Sequence, residues 1–518
     1  MMRSSKLFLT VLCIILVFSV AGCSPVPEQS DLTTVLTALQ YEVENQSIDF
    51  ENLWFYREIE KKTGVHVDFE VVKDADWLTR QSLMFASNHF TDMVLRGSLN
   101  TEDYGVRQHL LIPLDDYLNA ETMPHYTSRT ANTPAVKTLL SSDGHTYKLG
   151  FLISQNINTN GHFFINKSWL DKLGLGVPST IDELTDVLRA FRDGDPNGNG
   201  LKDEIPYQAT FDDNNTGIYN AFSAWGIPMN EEFVYIGDDG RIYFAPLADD
   251  FRAAVEWLHL LYTEHLLDME CLTQGSNIWG AKMNQGTAGY FSYWRLSNTA
   301  LTGDVARQYI CMLPVAAAGS RAVLSSKIDN IDFGASLTSQ NHDVKASLRW
   351  LDAQFETETM LVSQNGQMGD TLIKGEDGRY EVSYVPADNE LLKTVPVICG
   401  QFFAASPYYE SVYKPAAHRE EKVAFCRQYA EADVLEHNSY CIIVEQAPKT
   451  CEESARLLQL HTELKNTIDS ALVSFITLGV DDERYSVFRD TLLEEGAMEY
   501  TALYQQIYDR WVEEEGTL

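Results

Sequence analysis

Past residue 20 the chain has no apolar run long enough to cross a bilayer, so the body of the protein is built to face water. Positive charge is also scarce. The 39 Lys and Arg residues stand against 74 Asp and Glu, a net charge of −35. Nucleic acid and anionic lipid surfaces are therefore poor partners for this body, and a strongly anionic ligand would need a local Arg cluster. No cysteine pair has Cys-x-x-Cys spacing, which argues against a zinc ribbon or a thioredoxin-type centre. There is no Gly-x-Ser-x-Gly elbow, no His-Glu-x-x-His helix and no phosphate-cradling loop. The twelve His residues are scattered, and neither an internal repeat nor a low-complexity segment is visible. Asp115-Asp116 and Asp212-Asp213 are adjacent carboxylate pairs. Neighbouring side chains diverge, whereas glycoside hydrolysis needs two carboxyls facing each other across about 5–10 Å.

What is present begins with an address. A basic start (Met1 to Lys6) leads into an almost unbroken apolar run, Leu7 to Val20, and then Ala21-Gly22-Cys23. That order describes an export signal over residues 1–22. Val20-Ala21-Gly22-Cys23 resembles a bacterial lipobox, which implies cleavage before Cys23 and diacylglycerol on its thiol. Residues 23–30, with Pro25 and Pro27, read as a tether. Export permits disulfides among Cys271, Cys311, Cys399, Cys426, Cys441 and Cys451, but one sequence leaves their pairing open.

The most specific chemical pattern is the stretch from Asp195 to Pro206. Side-chain oxygens fall at loop positions 1, 3, 5 and 9 as Asp195, Asn197, Asn199 and Asp203, with Gly200 at the sharp turn of position 6. Leu201 would turn its carbonyl inward. A hard cation such as calcium takes six to eight oxygens, and this EF-hand-like spacing curls them about one point. Pro206 replaces the usual bidentate Glu at position 12, and Glu204 is the available substitute. The alternative is a polar Asn/Gly turn after a helix. Three carboxylates at most predict weak affinity, on the order of 10⁻⁴ M, suited to a structural ion. A capping box, Thr180 to Glu183, followed by Ile181, Leu184, Val187, Leu188 and Phe191 at helical spacing, predicts that a helix runs straight into the loop.

Elsewhere, β-like runs and helical stripes alternate. Leu53 to Lys62 reads as a helix closed by Gly64, Val65 to Val71 as a strand, Ser82 to Ala86 as part of a helix, and Met93 to Leu95 as a strand. Phe163 to Ile165 and Gly286 to Phe291 are buried-strand candidates, and the chain from Pro415 onward is mostly helical. Ser363 to Tyr384 reads as the least structured region. This order points to an α/β fold.

Together, Lys61 to Val65, Leu111 to Tyr117, Asn166 to Leu175, Asp195 to Pro206, Gln285 to Phe291, Leu348 to Asp352 and Tyr508 to Trp511 resemble bacterial extracellular solute-binding proteins of family 1. The similar subgroup carries a calcium loop and includes alginate-oligosaccharide-binding proteins and LplA-like lipoproteins. The resemblance implies two α/β lobes of the type II periplasmic-binding-protein fold, joined at a hinge, with ligand between them. It implies the first lobe over 31–152 and 331–395, and the second over 153–330 and 396–518. It implies a monomeric, lipid-anchored binder on the outer face of the membrane that hands a carbohydrate to ABC permease subunits. It also carries over Asp195, Asn197, Asn199, Leu201, Asp203 and Glu204 as calcium ligands. A secreted glycoside hydrolase and a peptide-binding import lipoprotein are the alternatives.

Sugar sites pair aromatic platforms with polar side chains, and in open α/β sheets ligands meet the carboxyl ends of strands. That rule selects Tyr293 and Trp294 after the Gly289 to Phe291 run, and Arg96 after Met93 to Leu95. Trp77 and Trp225 are further aromatic candidates that core packing would equally explain. Asn156 falls near the expected first lobe crossing.

Overall fold

The computed structural model describes residues 34–42, 48–97, 99–131, 136, 139–153, 158–159, 161–211, 216–293, 296, 303–327, 330–382, 412–414, 417–435, 443, 447 and 449–515. Cys23, Asn156 and Trp294 lie outside them.

In chain order, β1 (Thr34–Glu42), α1 (Trp54–Thr63), β2 (Val65–Lys73), α2 (Trp77–Ser87), β3 (Met93–Leu95) and β4 (Leu149–Ile153) build a first lobe. The chain crosses through β5 (Asn158–Thr159). A second lobe follows: β6 (His162–Asn166), α3 (Lys167–Leu173), α4 (Ile181–Asp193), β7 (Ile205–Tyr207), the hairpin β8 (Val234–Ile236) and β9 (Ile242–Phe244), α5 (Phe251–Thr263), β10 (Ala288–Tyr293) and β11 (Tyr309–Met312). It returns through β12 (Ser326–Lys327) to β13 (Asn330–Leu337), α6 (Val344–Asp352), α7 (Thr357–Asn365), β14 (Leu372–Lys374), β15 (Tyr380–Val382) and β16 (Tyr413–Lys414). Helices α8 (Ala417–Glu431), α9 (Cys451–Leu478), α10 (Asp482–Glu494) and α11 (Ala497–Glu515) complete the second lobe.

Each lobe has its own sheet. The first runs β2-β1-β3-β13-β4, with β1 parallel to β2 and β3, and β13 antiparallel to both its neighbours. The second runs β11-β6-β10-β7. Two crossings pair with each other, since β5 and β12 form a two-stranded antiparallel ribbon, Thr159 opposite Ser326. A short ribbon between two separately packed cores bends more easily than either core deforms, and this is the physical basis of a hinge. The third crossing falls later than the 395/396 boundary expected from the sequence. β16 pairs with β15, and Val412 packs on the first lobe's core, so residues 412–414 still belong to the first lobe. From α8 onward the chain packs on the second lobe, where Tyr429 donates to the Met312 carbonyl at 2.6 Å.

The cores follow from the alternation. In the first, Leu36, Ala38, Val65, Val67, Met93 and Leu95 meet α1 and α6, where Tyr56 stacks on Trp350 with ring centroids 5.6 Å apart. In the second, α4 buries Ile181, Leu184, Val187, Leu188 and Phe191. Phe191 meets Trp169 edge to face at 5.2 Å, a favoured aromatic geometry. The Thr180 hydroxyl accepts from the Glu183 N–H, but the Glu183 carboxylate reaches back to the Ser179 N–H at 2.8 Å, one residue earlier than a standard capping box. Helix α9 carries the full reciprocal box between Thr450 and Glu453, and Glu453 also ties down Arg510 of α11 at 2.9 Å.

Candidate functional site: two strand-end clusters and a polar loop

In the first lobe, the parallel strands β1, β2 and β3 end together, and their carboxyl ends carry the polar residues. Tyr41, the next-to-last residue of β1, donates its hydroxyl at 2.9 Å to Asp74, just past β2. The guanidinium of Arg96, which follows β3, lies 5.7 Å from the centre of the Tyr41 ring, within cation–π range. Arg96 has φ +56°, an uncommon conformation for a residue with a Cβ, and its N–H is held by the Gly334 carbonyl at 2.8 Å. Strain of this kind persists only where the surroundings enforce it, and it turns Arg96 beside Tyr41. Beneath them, Trp77 meets Tyr41 edge to face at 5.5 Å and is only 2% exposed. Gly97, at φ +131°, supplies the room: a Cβ there would stand 2.3 Å from the indole. Trp77 thus packs in the core beneath this wall.

In the second lobe, β7 and β10 are parallel and end side by side. Tyr293 closes β10, is half-buried, and lies over the Trp279 ring with centroids 4.8 Å apart. Just before it, Ser292 is fully buried and accepts from Asn220 at 3.1 Å. After β7 come Gln208 and Thr210, the latter sharing a 2.7 Å hydroxyl–hydroxyl bond with Thr216. The Gln208 side chain is fully buried, and among the described residues neither its Oε1 nor its Nε2 has a hydrogen-bond partner. A buried amide left unmet costs about 1–3 kcal/mol, and such groups are rare in native structures. Trp225 is placed differently from Tyr293. It ends the 3₁₀ segment Ile218–Trp225 and packs on Trp257 of α5 at 5.7 Å, as part of the lobe's core boundary.

The strand-end rule selects Arg96 and Tyr293, which stand at the ends of β3 and β10, one in each lobe. It passed over Tyr41, Asp74, Gln208, Asn220 and Ser292. Tyr41 would have been selected had β1 been read through to Glu42; Gln208 is the residue after a three-residue strand too short to show periodicity. Asp115 of the adjacent acidic pairs accepts from the Thr146 N–H at 3.2 Å and lies 3.0 Å from His145 Nδ1, which ties down a turn. Asp212-Asp213 lies outside the described residues.

The loop after α4 is built as the helix-into-loop pattern predicts. Asp195 (φ +46°), Gly198 (+75°) and Gly200 (+76°) supply left-handed turns. Asp195 accepts from the N–H groups of Gly198 (3.0 Å) and Gly200 (3.2 Å), and Asn199 accepts from the Leu201 N–H at 2.7 Å. Asn197 and Asn199 turn their amide nitrogens onto Asp203 at 2.8 and 2.9 Å. Among the described residues no three His, Cys, Asp or Glu side chains converge as a metal cluster, so the donor set here is mixed carboxylate, amide and carbonyl. One atom fits a cation directly. Glu204 Oε1 is buried without a hydrogen-bond partner, and burial, then the charges of Asp203 and Asp195, hold its carboxyl above the usual carboxylate range. A cation would relieve all three, provided the two Asn amides present their oxygens.

These two walls, the ribbon of crossings and the mixed oxygen loop define the class. The chain belongs to the bacterial extracellular solute-binding protein family, whose model matches residues 30–295. Among characterised relatives it is 25% identical over 472 residues to FusA of Streptococcus pneumoniae serotype 4, named a fructooligosaccharide ABC transporter substrate-binding protein, covering 88% of this chain and 86% of FusA. It is 27% identical over 172 residues to the polygalacturonan/rhamnogalacturonan-binding protein YtcQ of Bacillus subtilis strain 168, 33% of this chain and 32% of YtcQ. A FusA structure in complex with kestose superposes with TM-score 0.82 at 22% identity, covering 93% of this chain and 100% of that one. The alginate-binding protein AlgQ2, solved without calcium ion, gives TM-score 0.71 at 19% identity, covering 92% and 98%. These structures establish the two-lobed type II fold.

Proposed function

We propose that this chain is the extracytoplasmic binding subunit of an ABC importer and captures a neutral oligosaccharide between its lobes. The observation that carries the reading is the pairing of walls. The first lobe ends its parallel strands in the Tyr41 ring beside Arg96 and Asp74, and the second ends β10 in Tyr293, one residue after Ser292, which Asn220 holds. Aromatic faces suit the apolar face of a pyranose or furanose ring, and the amide and guanidinium groups suit its hydroxyl rim. The name of FusA supports a neutral oligosaccharide, and that of YtcQ, whose polygalacturonan is acidic, supports carbohydrate as the class. Trp294, directly after Tyr293, and Asn156, at the first crossing, belong to the same proposal.

Cys23 carries the lipid that holds the protein at the membrane, and permease subunits are its partners. A calcium ion in the loop is held by Asp195, Asn197, Asn199, the Leu201 carbonyl, Asp203 and Glu204, and stiffens the turn between α4 and β7 beneath the second wall. The protein breaks no bond in this reading. Its residues bind, orient and desolvate the sugar, and the closing of the lobes excludes water.

A melting screen of the soluble chain from Ser24 against neutral and acidic oligosaccharides tests this, because a ligand selective for the folded state raises the melting temperature. A saturable shift with an unaltered neutral sugar is expected. Release of shortened products would establish the hydrolase instead, and a shift only with peptides would establish the peptide importer.

A further inference from the structure

We infer that the first lobe carries a second, peripheral site for a neutral glycan chain, in the groove between α1 and α7. The groove encloses about 610 Å³, and none of its lining residues belongs to the strand-end clusters described above. That volume falls within the range of small-molecule sites. Its floor is apolar: Phe55 and Ile59 are 1% and 2% exposed, and Val362 and Met368 are half-buried. At one end stands Trp54, half-buried and braced edge to face on Phe55 at 5.9 Å, which fixes the plane of its indole.

The rim selects the ligand. Lys61 is paired with Glu58 at 2.5 Å, and Lys62 with Glu356 and the Thr359 hydroxyl. Glu358 accepts from the Tyr380 hydroxyl at 3.4 Å. Each cation thus already has its anion, so a charged ligand gains little here, and the net charge of −35 disfavours polyanions further. The ammonium, carboxylate and Gln367 amide groups still have exposed donors and acceptors. An aromatic platform, an apolar floor and a charge-compensated polar rim together match a chain of uncharged sugar rings. This inference stands apart from the cleft reading, since no residue is shared between the two.

Affinity electrophoresis of the soluble chain tests it, in native gels containing inulin, soluble starch, a mixed-linkage β-glucan or, as the acidic control, polygalacturonate. Retardation is expected in at least one neutral gel and should fall about tenfold in apparent affinity with Trp54→Ala, as loss of an aromatic platform predicts. Gln367→Ala and Glu58→Gln, which leave the lobe's core intact, should weaken it less. The part of the retardation that Trp54→Ala removes should persist in an Arg96→Ala background, where cleft binding is weakened. Retardation unaffected by all three groove variants, retardation by polygalacturonate alone, no retardation in any gel, or a sedimentation shift showing that this face joins two copies of the chain would each overturn the inference.

Discussion

Calcium removal is the perturbation whose size follows most directly from the loop. Three carboxylates, Asp195, Asp203 and Glu204, with two amides and one carbonyl, predict a dissociation constant on the order of 10⁻⁴ M. At about 10 mM calcium the ion is then near 100-fold in excess of that constant, which stabilises the folded state by about 2.7 kcal/mol. For a cooperative unit the size of one lobe, about 2–4 °C per kcal/mol converts this to roughly 5–10 °C in melting temperature. The pH dependence has a definite sign. Glu204 is held above its ordinary carboxylate range in the folded state, first by burial and then by Asp203 and Asp195. A carboxyl whose folded pKa is raised contributes stability that is fully present below its unfolded pKa and is lost as pH rises through the folded value. Chelated protein should therefore lose stability as pH rises from about 4.3 upward through the folded Glu204 pKa. Calcium-loaded protein should gain it over the same interval, because the ion requires the ionised form. Scanning calorimetry with chelator and with calcium, from pH 4 to pH 8, measures both. Glu204→Gln should flatten the acid-side change in the chelated protein, and Asp195→Ala should remove the calcium response. A wild-type melting temperature indifferent to chelator across this range would refute the loop's assignment and the role given to Glu204.

Three further outcomes are expected. Trp77→Ala should cost about 3–5 kcal/mol in urea unfolding, because it empties a site only 2% exposed and wedged against Gly97. Gln208→Met should stabilise the unliganded protein by about 1 kcal/mol, by removing an amide with no partner among the described residues, while weakening sugar binding in calorimetry; a loss of stability would show that the amide is satisfied. Arg96→Ala should weaken sugar binding about tenfold or more with little change in melting temperature, since the half-buried guanidinium sits at the wall over Tyr41 and outside the core.

What could be read in the sequence was what local periodicity and turn chemistry encode. Met93 to Leu95 is a short apolar run and forms the strand β3; Ile181 to Phe191 keeps helical spacing and forms the apolar face of α4; the left-handed turn at Gly200 lies where the loop pattern put it. Elements fixed by distant partners were hidden. The Gly-rich stretch from Ser363 to Tyr384 read as unstructured, yet the end of α7 and the hairpin of β14 and β15 occupy it, and Gly375 and Gly378 make the hairpin's turn. β13 gave no strand signal because Gly334 interrupts it. There, any side chain would strike the Leu149 carbonyl, since a Cβ would stand 2.1 Å from it. The third crossing was misplaced for a related reason: β16 is two residues long, and only its pairing with β15 assigns it to the first lobe. Of the two strand-end clusters, Arg96 and Tyr293 showed in the sequence because they follow or end apolar runs, whereas Gln208 and Asn220 are picked out by burial alone.

The most direct test of the central claim is small-angle scattering of the soluble chain with and without a saturating oligosaccharide from the melting screen, the sugar being recovered and sized afterwards. Closure of two lobes about the β5–β12 ribbon predicts a smaller radius of gyration on saturation and a sugar returned at its original length. An unchanged radius at saturation, or a shortened sugar, would contradict a clamp that binds without cutting.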